Sequence, residues 1–186
     1  KWIRTNEPVN YSVQKRYNSD GAFDYYPVVN ISHYGAAKYC EWLGIKGKQK
    51  LRKYKMVFTL PNESEWISFA NINSFKVNFI SSSYGKDDEG KYIGNIKAMV
   101  GDSLYARIDG GYYTVRVDAY HPDNFGLYNV IGNVAEMTDV DGVQKGGSWD
   151  DYLKDCYVDK IQHYSTPDPR VGFRVVAIVL PQKSTR

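Results

Sequence analysis

The sequence predicts an α+β fold with few regular elements and long loops. Three observations lead there: two segments carry helix-capping signals, several short segments have strand character, and much of 71–150 follows neither period. In the first helical segment Ser32 is placed to cap a run containing Ala36, Ala37, Cys40 and Leu43, and Gly44 is expected to end it. In the second, Asn62 stands as the cap and Glu65 follows at capping-box spacing, with Trp66, Ile67, Phe69 and Ala70 continuing the helix up to Asn71. Strands are expected from Met56 to Leu60, Tyr112 to Val117, Val143 to Lys145 and Phe173 to Leu180, where β-branched and aromatic residues gather. The apolar run Val175 to Leu180 reads as a buried strand. Asp88-Glu89-Gly90, Asp109-Gly110-Gly111 and Asp141-Gly142 mark turns. Long irregular loops need fastening, and metal ions are a common means.

Composition narrows the classes. The 186 residues suffice for one domain with a substantial core. The net charge of +3 is too small to point to nucleic acid. The cluster Lys46, Lys48, Lys50, Arg52, Lys53 and Lys55 reads as a solvated loop, because no recognition helix or interleaved aromatics accompany it. No apolar run approaches the roughly eighteen residues of a helical span, so no membrane span is expected. Cys40 and Cys156 are too few for a disulfide framework, and one bridge between them is an open alternative. The 17 tyrosines, each with an apolar face and a polar tip, suit an exposed binding surface and suit strands as well. The chain begins at Lys1, which is expected of a processed protein or a fragment whose targeting or lipid-attachment signal has been removed.

Several segments in order carry a family resemblance. They are Tyr26-Pro-Val-Val-Asn-Ile-Ser32, Ala36-Ala-Lys-Tyr-Cys-Glu-Trp42, Leu60-Pro-Asn-Glu-Ser-Glu-Trp66, Asn124-Phe-Gly-Leu-Tyr-Asn-Val-Ile-Gly-Asn-Val-Ala-Glu136, Lys145-Gly-Gly-Ser-Trp149 and Val171-Gly-Phe-Arg174. Together they resemble the formylglycine-generating-enzyme, or sulfatase-modifying-factor, family over about residues 26–179. The resemblance implies a C-type-lectin-like variant of the α+β class, with a domain at 26–186 and an N-terminal remnant or linker at 1–25.

It also implies calcium. Calcium takes six to eight oxygens from carboxylates, amides and backbone carbonyls. Asn129, Gly132, Val134 and Glu136 match one calcium loop of the family, and Asn95, Ile96, Asp109 and Gly111 match a second, with Gly111 where an apolar residue is more usual. One or two ions are therefore expected, as fasteners of loops. The alternative is that these side chains merely satisfy loop backbone groups.

The family's enzymes hold copper(I) between two cysteine thiolates shortly after the Gly-Gly-Ser motif. Here the second position is Cys156 and the first is Asp151, a hard oxygen ligand that suits copper(I) poorly. Ala135 stands where active members carry an aromatic, while Ser148 matches the family's active-site serine. No catalytic residue is assigned, and copper and formylglycine-generating activity are not expected. Cys40 lacks its family partner, since Val175 occupies that position, and reads as a core residue of the first helix. His33, His121 and His163 show no ligand spacing, and His33 suits a surface or capping role. Asp150, Asp151, Asp155 and Asp159 with Tyr152, Tyr157 and Tyr164 either line a cleft for a sugar or peptide or form a solvated loop.

The Gly-Gly-Ser-Trp-Asp sequence most resembles the lipoproteins of gliding motility and protein secretion, which lack the copper cysteines. That likeness implies a non-catalytic, calcium-stabilised binding or structural domain, extracytoplasmic in bacteria. Its expected partner is a protein or glycan ligand or an envelope assembly. Two alternatives stand beside it: a copper-dependent oxidoreductase with an altered site, and a lectin-like variable ligand-binding protein.

Overall fold

Both helices form on the residues their caps require. The computed structural model describes residues 17, 19–47, 54–70, 86, 90–100, 103–105, 111–123 and 125–181. Helix α1 spans His33–Gly47, and the Ser32 hydroxyl accepts from the Gly35 amide at 3.1 Å. Ala36 and Cys40, one turn apart, are buried beneath it. His33 ties the helix start to the far end of the chain, its Nε2 lying 3.0 Å from the Thr138 carbonyl. Helix α2 spans Glu63–Phe69. Its capping box is complete: Asn62 Oδ1 accepts from the Glu65 amide and Glu65 Oε2 from the Asn62 amide, both at 2.9 Å. Seven residues are too few to hold a helix by themselves, so the burial of Trp66 supplies what propensity cannot.

The strands are short. They are β1 (Tyr54–Thr59), β2 (Ala98–Val100), β3 (Ser103–Tyr105), β4 (Ala135–Met137), β5 (Val143–Lys145), β6 (Gln162–His163), β7 (Val171–Phe173) and β8 (Val176–Pro181). β1 pairs antiparallel with β8, and β2 with β3. The remaining four form one sheet in the order β6-β5-β4-β7, with β4 and β7 parallel. The Asp141-Gly142 turn joins β4 to β5 as the sequence predicts.

Four expectations are corrected. Gly44 does not end α1, which runs on to Gly47. A glycine inside a helix costs only about 1 kcal/mol, and the packing of α1 on β1 outweighs it. Tyr112 to Val117 is not a strand, because asparagine side chains take the place of a partner strand, as described below. Phe173 to Leu180 is two strands, interrupted where Arg174 turns inward and the chain passes from one sheet to another. Nor is Val175 to Leu180 buried: among the described residues β8 pairs with β1 alone, and Ile178, Val179 and Leu180 are 41%, 53% and 42% exposed. Asp88, Glu89, Asp109 and Gly110 lie outside the described residues.

Among the described residues the core comprises three clusters. Ala36, Cys40, Leu60, Met137 and Val171 join α1 to the sheets. Trp66, Ala70, Val130 and Val158 lie under α2, and Ile96, Ile131 and Cys156 form the third. Every residue from Val130 to Thr138 is buried, so this segment threads all three. Cys40 and Cys156 sit in different clusters and are both free thiols, which settles the open question of a bridge. At the N-terminal side Tyr17 packs on Phe23 and Tyr26 and donates its hydroxyl to the Pro27 carbonyl at 2.5 Å. Among the described residues no helix is long and apolar enough to cross a membrane.

Replacing Asn62 with Ala removes the side-chain half of the capping box. It is expected to lower stability by about 1 kcal/mol, read as a shift of the urea midpoint at unchanged slope.

Candidate functional site

Three asparagines on two loops hold the segment after Gly111. Asn133 sits in the left-handed region (φ 63°), which asparagine tolerates better than most residues. Its side chain behaves as a neighbouring strand would: Oδ1 accepts from the Val115 amide at 2.9 Å, and Nδ2 donates to the Val115 carbonyl at 3.2 Å. Asn95 Nδ2 donates to the Tyr113 carbonyl at 2.6 Å. Asn129, also left-handed (φ 50°), donates from Nδ2 to the carbonyls of Arg116, Val117 and Ala119. The two loops are joined directly, since the Asn133 amide donates to the Asn95 carbonyl at 2.7 Å.

These bonds decide how the amides face. With each Nδ2 spent on carbonyls, Oδ1 of Asn95 and Oδ1 of Asn129 point away, and both are buried acceptors without a donor. A buried acceptor left open is costly, and a cation would satisfy it. Gly111 belongs to the same site: a Cβ there would stand 2.6 Å from Asn95 Oδ1, so only glycine lets the backbone approach the amide this closely. Ile96 and Gly132 are buried beside Asn95, whereas Asp109, predicted with them, lies outside the described residues.

Val134 and Glu136 follow Asn133 into the core. The Glu136 carboxylate accepts from Trp66 Nε1 at 2.9 Å and from Arg174 Nη2 at 2.6 Å and Nε at 3.0 Å. Burial works against the Arg174 charge, but Glu136 outweighs it and holds the guanidinium above its ordinary range.

The Gly-Gly-Ser loop comes next. Asp151 Oδ2 accepts from the Ser148 amide at 2.8 Å and from the Ser148 hydroxyl at 2.6 Å, while the Asp151 carbonyl accepts from the Lys97 amide at 2.9 Å. This carboxylate therefore staples the loop to itself and to the Asn95 segment. Lys97 adds an ion pair to Asp150 at 2.5 Å. Cys156 is fully buried, and its thiol donates to the Tyr152 carbonyl at 3.3 Å. Burial, and then the charges of Asp151 and Asp155, push that thiol well above its ordinary value. Gly147 (φ +68°) lies against it, and a side chain there would run into Sγ.

Two separate clefts open on the surface: one of about 660 Å³, largely apolar, holds Asn129, Glu136 and Arg174, and a second, more polar, of about 650 Å³ is lined by Asp151, Gln144, Gln162, His163, Asp168 and Arg170. In the second, Gln144 and Gln162 are cross-strand partners whose Oε1 atoms are buried without donors. Arg170 forks onto Asp168 and reaches Asp150, so these charges are balanced within the protein. Of the acidic and tyrosine cluster in the sequence, Asp151 and Tyr164 line this cleft.

Residues 4–179 match the family described as the sulfatase-modifying factor enzyme 1-like domain. The chain belongs to that family. Formylglycine-generating enzymes of Mus musculus and Bos taurus are 27% and 26% identical to it over 182 aligned positions, covering 84% of this chain and 45% of each relative. The chain thus spans less than half the length of these curated relatives. Solved structures share the fold at low identity. Treponema denticola variable protein 1 has a TM-score of 0.58 at 21% identity, covering 83% of this chain and 72% of that one. CarF follows at 0.55 and 21%, covering 89% and 71%. PvdO from Pseudomonas aeruginosa stands at 0.53 and 19%, covering 82% and 62%.

Within this family domain, the position after Gly-Gly-Ser that the resemblance gives to a copper thiolate holds a carboxylate already bonded to Ser148. The remaining thiol is kept neutral by its surroundings. That donor set does not fit a two-thiolate copper(I) site. Sequence reasoning assigned no part to Asn133, to Trp66, to Arg174 or to the Gln144–Gln162 pair. The first was legible as an asparagine inside a tight Gly-Asn-Val loop; the others are brought together only by the fold.

Two outcomes follow. Cys156 is expected to resist a thiol reagent in the folded chain and to react on unfolding. Because its folded value is raised, its contribution to stability is intact below the ordinary thiol value of 9.0 and is lost as pH rises above that, which urea midpoints between pH 8 and 10 will register. Replacing Asp151 with Ala removes two hydrogen bonds to a charged acceptor and is expected to cost about 2 kcal/mol in the same assay.

Proposed function

We propose that this domain is a non-catalytic, calcium-stabilised binding or structural module of the bacterial cell envelope, of the kind used in gliding motility or protein secretion. The observation that carries the non-catalytic part is the Asp151 carboxylate bonded to Ser148 where the resemblance calls for a thiolate. The calcium part is supported by the buried, donorless Asn95 Oδ1 against Gly111. Asp109 supplies a carboxylate in the sequence and Ile96 a carbonyl. The bound ion would fasten the loops and take no part in chemistry. The ligand, a protein or a glycan, would use the polar cleft at Gln144, Gln162, Asp168 and Arg170, whose balanced charges suit amide and hydroxyl partners.

A second reading, a variable ligand-binding protein, is favoured by the likeness in fold to a protein named as variable. It assigns the same cleft to the ligand and differs in expecting residues 149–170 to diverge among near-identical copies.

Metal analysis of the purified chain, with melting followed before and after a calcium chelator, tests the proposal. Bound calcium and a fall of roughly 5–10 °C on chelation are expected, from about 3–4 kcal/mol of linkage at saturating ion. Stoichiometric copper that disappears with Cys156→Ser, together with oxygen uptake on a thiol substrate, would overturn the non-catalytic reading. Absence of calcium with an unchanged melting temperature would overturn the calcium reading.

A further inference from the structure

The polar cleft contains a pair of side chains whose hydrogen bonding the protein itself leaves incomplete. Gln144 on β5 and Gln162 on β6 stand directly opposite each other across an antiparallel pair, and both line the cleft. Directly opposed glutamines can bond amide to amide. These do not: Oε1 of each is buried and finds no donor among the described residues. A buried amide oxygen without a partner is unfavourable, so two of them on neighbouring strands call for two donors at one place.

The charges around them are already engaged. Asp168 accepts from the Arg170 amide at 2.8 Å, from Nε at 2.9 Å and from Nη2 at 2.8 Å, and Arg170 Nη1 reaches Asp150 at 3.5 Å. An anionic ligand would find the guanidinium fork occupied, and a cationic one would find Asp168 paired. Two classes of neutral donor remain, the backbone amides of an extended peptide and the hydroxyls of a sugar. Spacing separates them. The side chains of a directly opposed pair leave their strands about 5 Å apart. Amides along one edge of an extended peptide recur at every second residue, about 7 Å apart. Hydroxyls on neighbouring or next-but-one ring carbons stand closer together than that, and each both donates and accepts, as an amide does. Nor does the cleft offer an apolar anchor pocket of the kind protein partners fill: among the described residues Val171 is its only aliphatic side chain, and it is 2% exposed. The volume of about 650 Å³ lies in the range of small-molecule sites, about 300–1,000 Å³, and admits a mono- or disaccharide.

We infer that the Gln144–Gln162 pair is the recognition element of a site for a neutral saccharide, its two amides taking hydroxyls of one sugar ring. The inference rests on the proposal that this cleft is the ligand site, and narrows that ligand from protein or glycan to glycan. The Asp168–Arg170 pair then serves as a fixed wall, tied in by the Asp168 carbonyl, which accepts from the amides of Asn30 and Val171.

The test is NMR on the full chain, following the side-chain amides of Gln144 and Gln162 during titration with glucose, galactose, mannose, N-acetylglucosamine, maltose and cellobiose. Glucuronic acid and a blocked tetra-alanine peptide are the comparison ligands. At least one neutral sugar is expected to shift both side-chain amides saturably and to bind more tightly than either comparison ligand. Gln144→Met and Gln162→Met are each expected to weaken that binding about fivefold, the loss of one hydrogen bond. Each exchange replaces an unpartnered buried amide by an apolar chain of similar shape, so the melting temperature is expected to hold or rise. A lowered melting temperature with unchanged sugar binding would mark the glutamines as structural and overturn the inference. Tighter binding of glucuronic acid would overturn the assignment to a neutral ligand. If the peptide shifts the two amides and no sugar does, the saccharide is wrong and the cleft remains the ligand site. If no ligand shifts them, or sugars shift only amides elsewhere, the cleft reading falls and this inference with it.

Discussion

A carboxylate buried at Glu136 has to be paired, and the manner of its pairing sets much of the rest of the molecule. Removing one partner of a buried ion pair costs about 3–5 kcal/mol, because the other is left charged and dry. Satisfying Glu136 therefore constrains three distant segments at once. Trp66 has to bring α2 against the 130–138 segment so that its indole can donate. Arg174 has to turn inward, which breaks the last strand in two and sends β8 across to β1. The Tyr128 carbonyl has to face the guanidinium, which orients the loop leading to Asn129.

The second organising device is the use of amide side chains in place of backbone partners. A strand beside Val115 would supply one donor and one acceptor; Asn133 supplies the same two from a single side chain. Asn95 and Asn129 extend the ladder in both directions, at Tyr113 and at Arg116 to Ala119. A long irregular segment is thereby ordered without regular structure, with the carbonyls of Tyr113, Val115, Arg116, Val117 and Ala119 all bonded to asparagine side chains. The device leaves two amide oxygens over, those of Asn95 and Asn129, buried and without a donor among the described residues.

Much of this was legible in the sequence where a local rule decides. Asn62 and Glu65 announce α2 because a capping box is satisfied within four residues, and Val143 to Lys145 is a strand with the predicted bounds. The α+β class followed from the same signals. What was not legible depended on distance in the chain. Tyr112 to Val117 has strand composition, yet its partner is a side chain eighteen residues on from Val115. Val175 to Leu180 is apolar enough to be buried, but burial depends on how many neighbours the topology places beside it, and among the described residues its one paired strand is β1. At the site, Asp151 was recognisable as a departure from the family; its work as a staple for Ser148 is visible only in three dimensions.

That staple has a consequence for the surroundings the domain can tolerate. A loop held by thiolates and a metal is exposed to oxidants, to reductants and to competition for the metal. A loop held by a carboxylate on a hydroxyl and an amide answers to none of these, and the two cysteines that remain are buried and unpaired. Neither a disulfide nor a thiolate is therefore needed to hold Ser148 and Asp151 in place, and a reductant is expected to leave this loop unchanged.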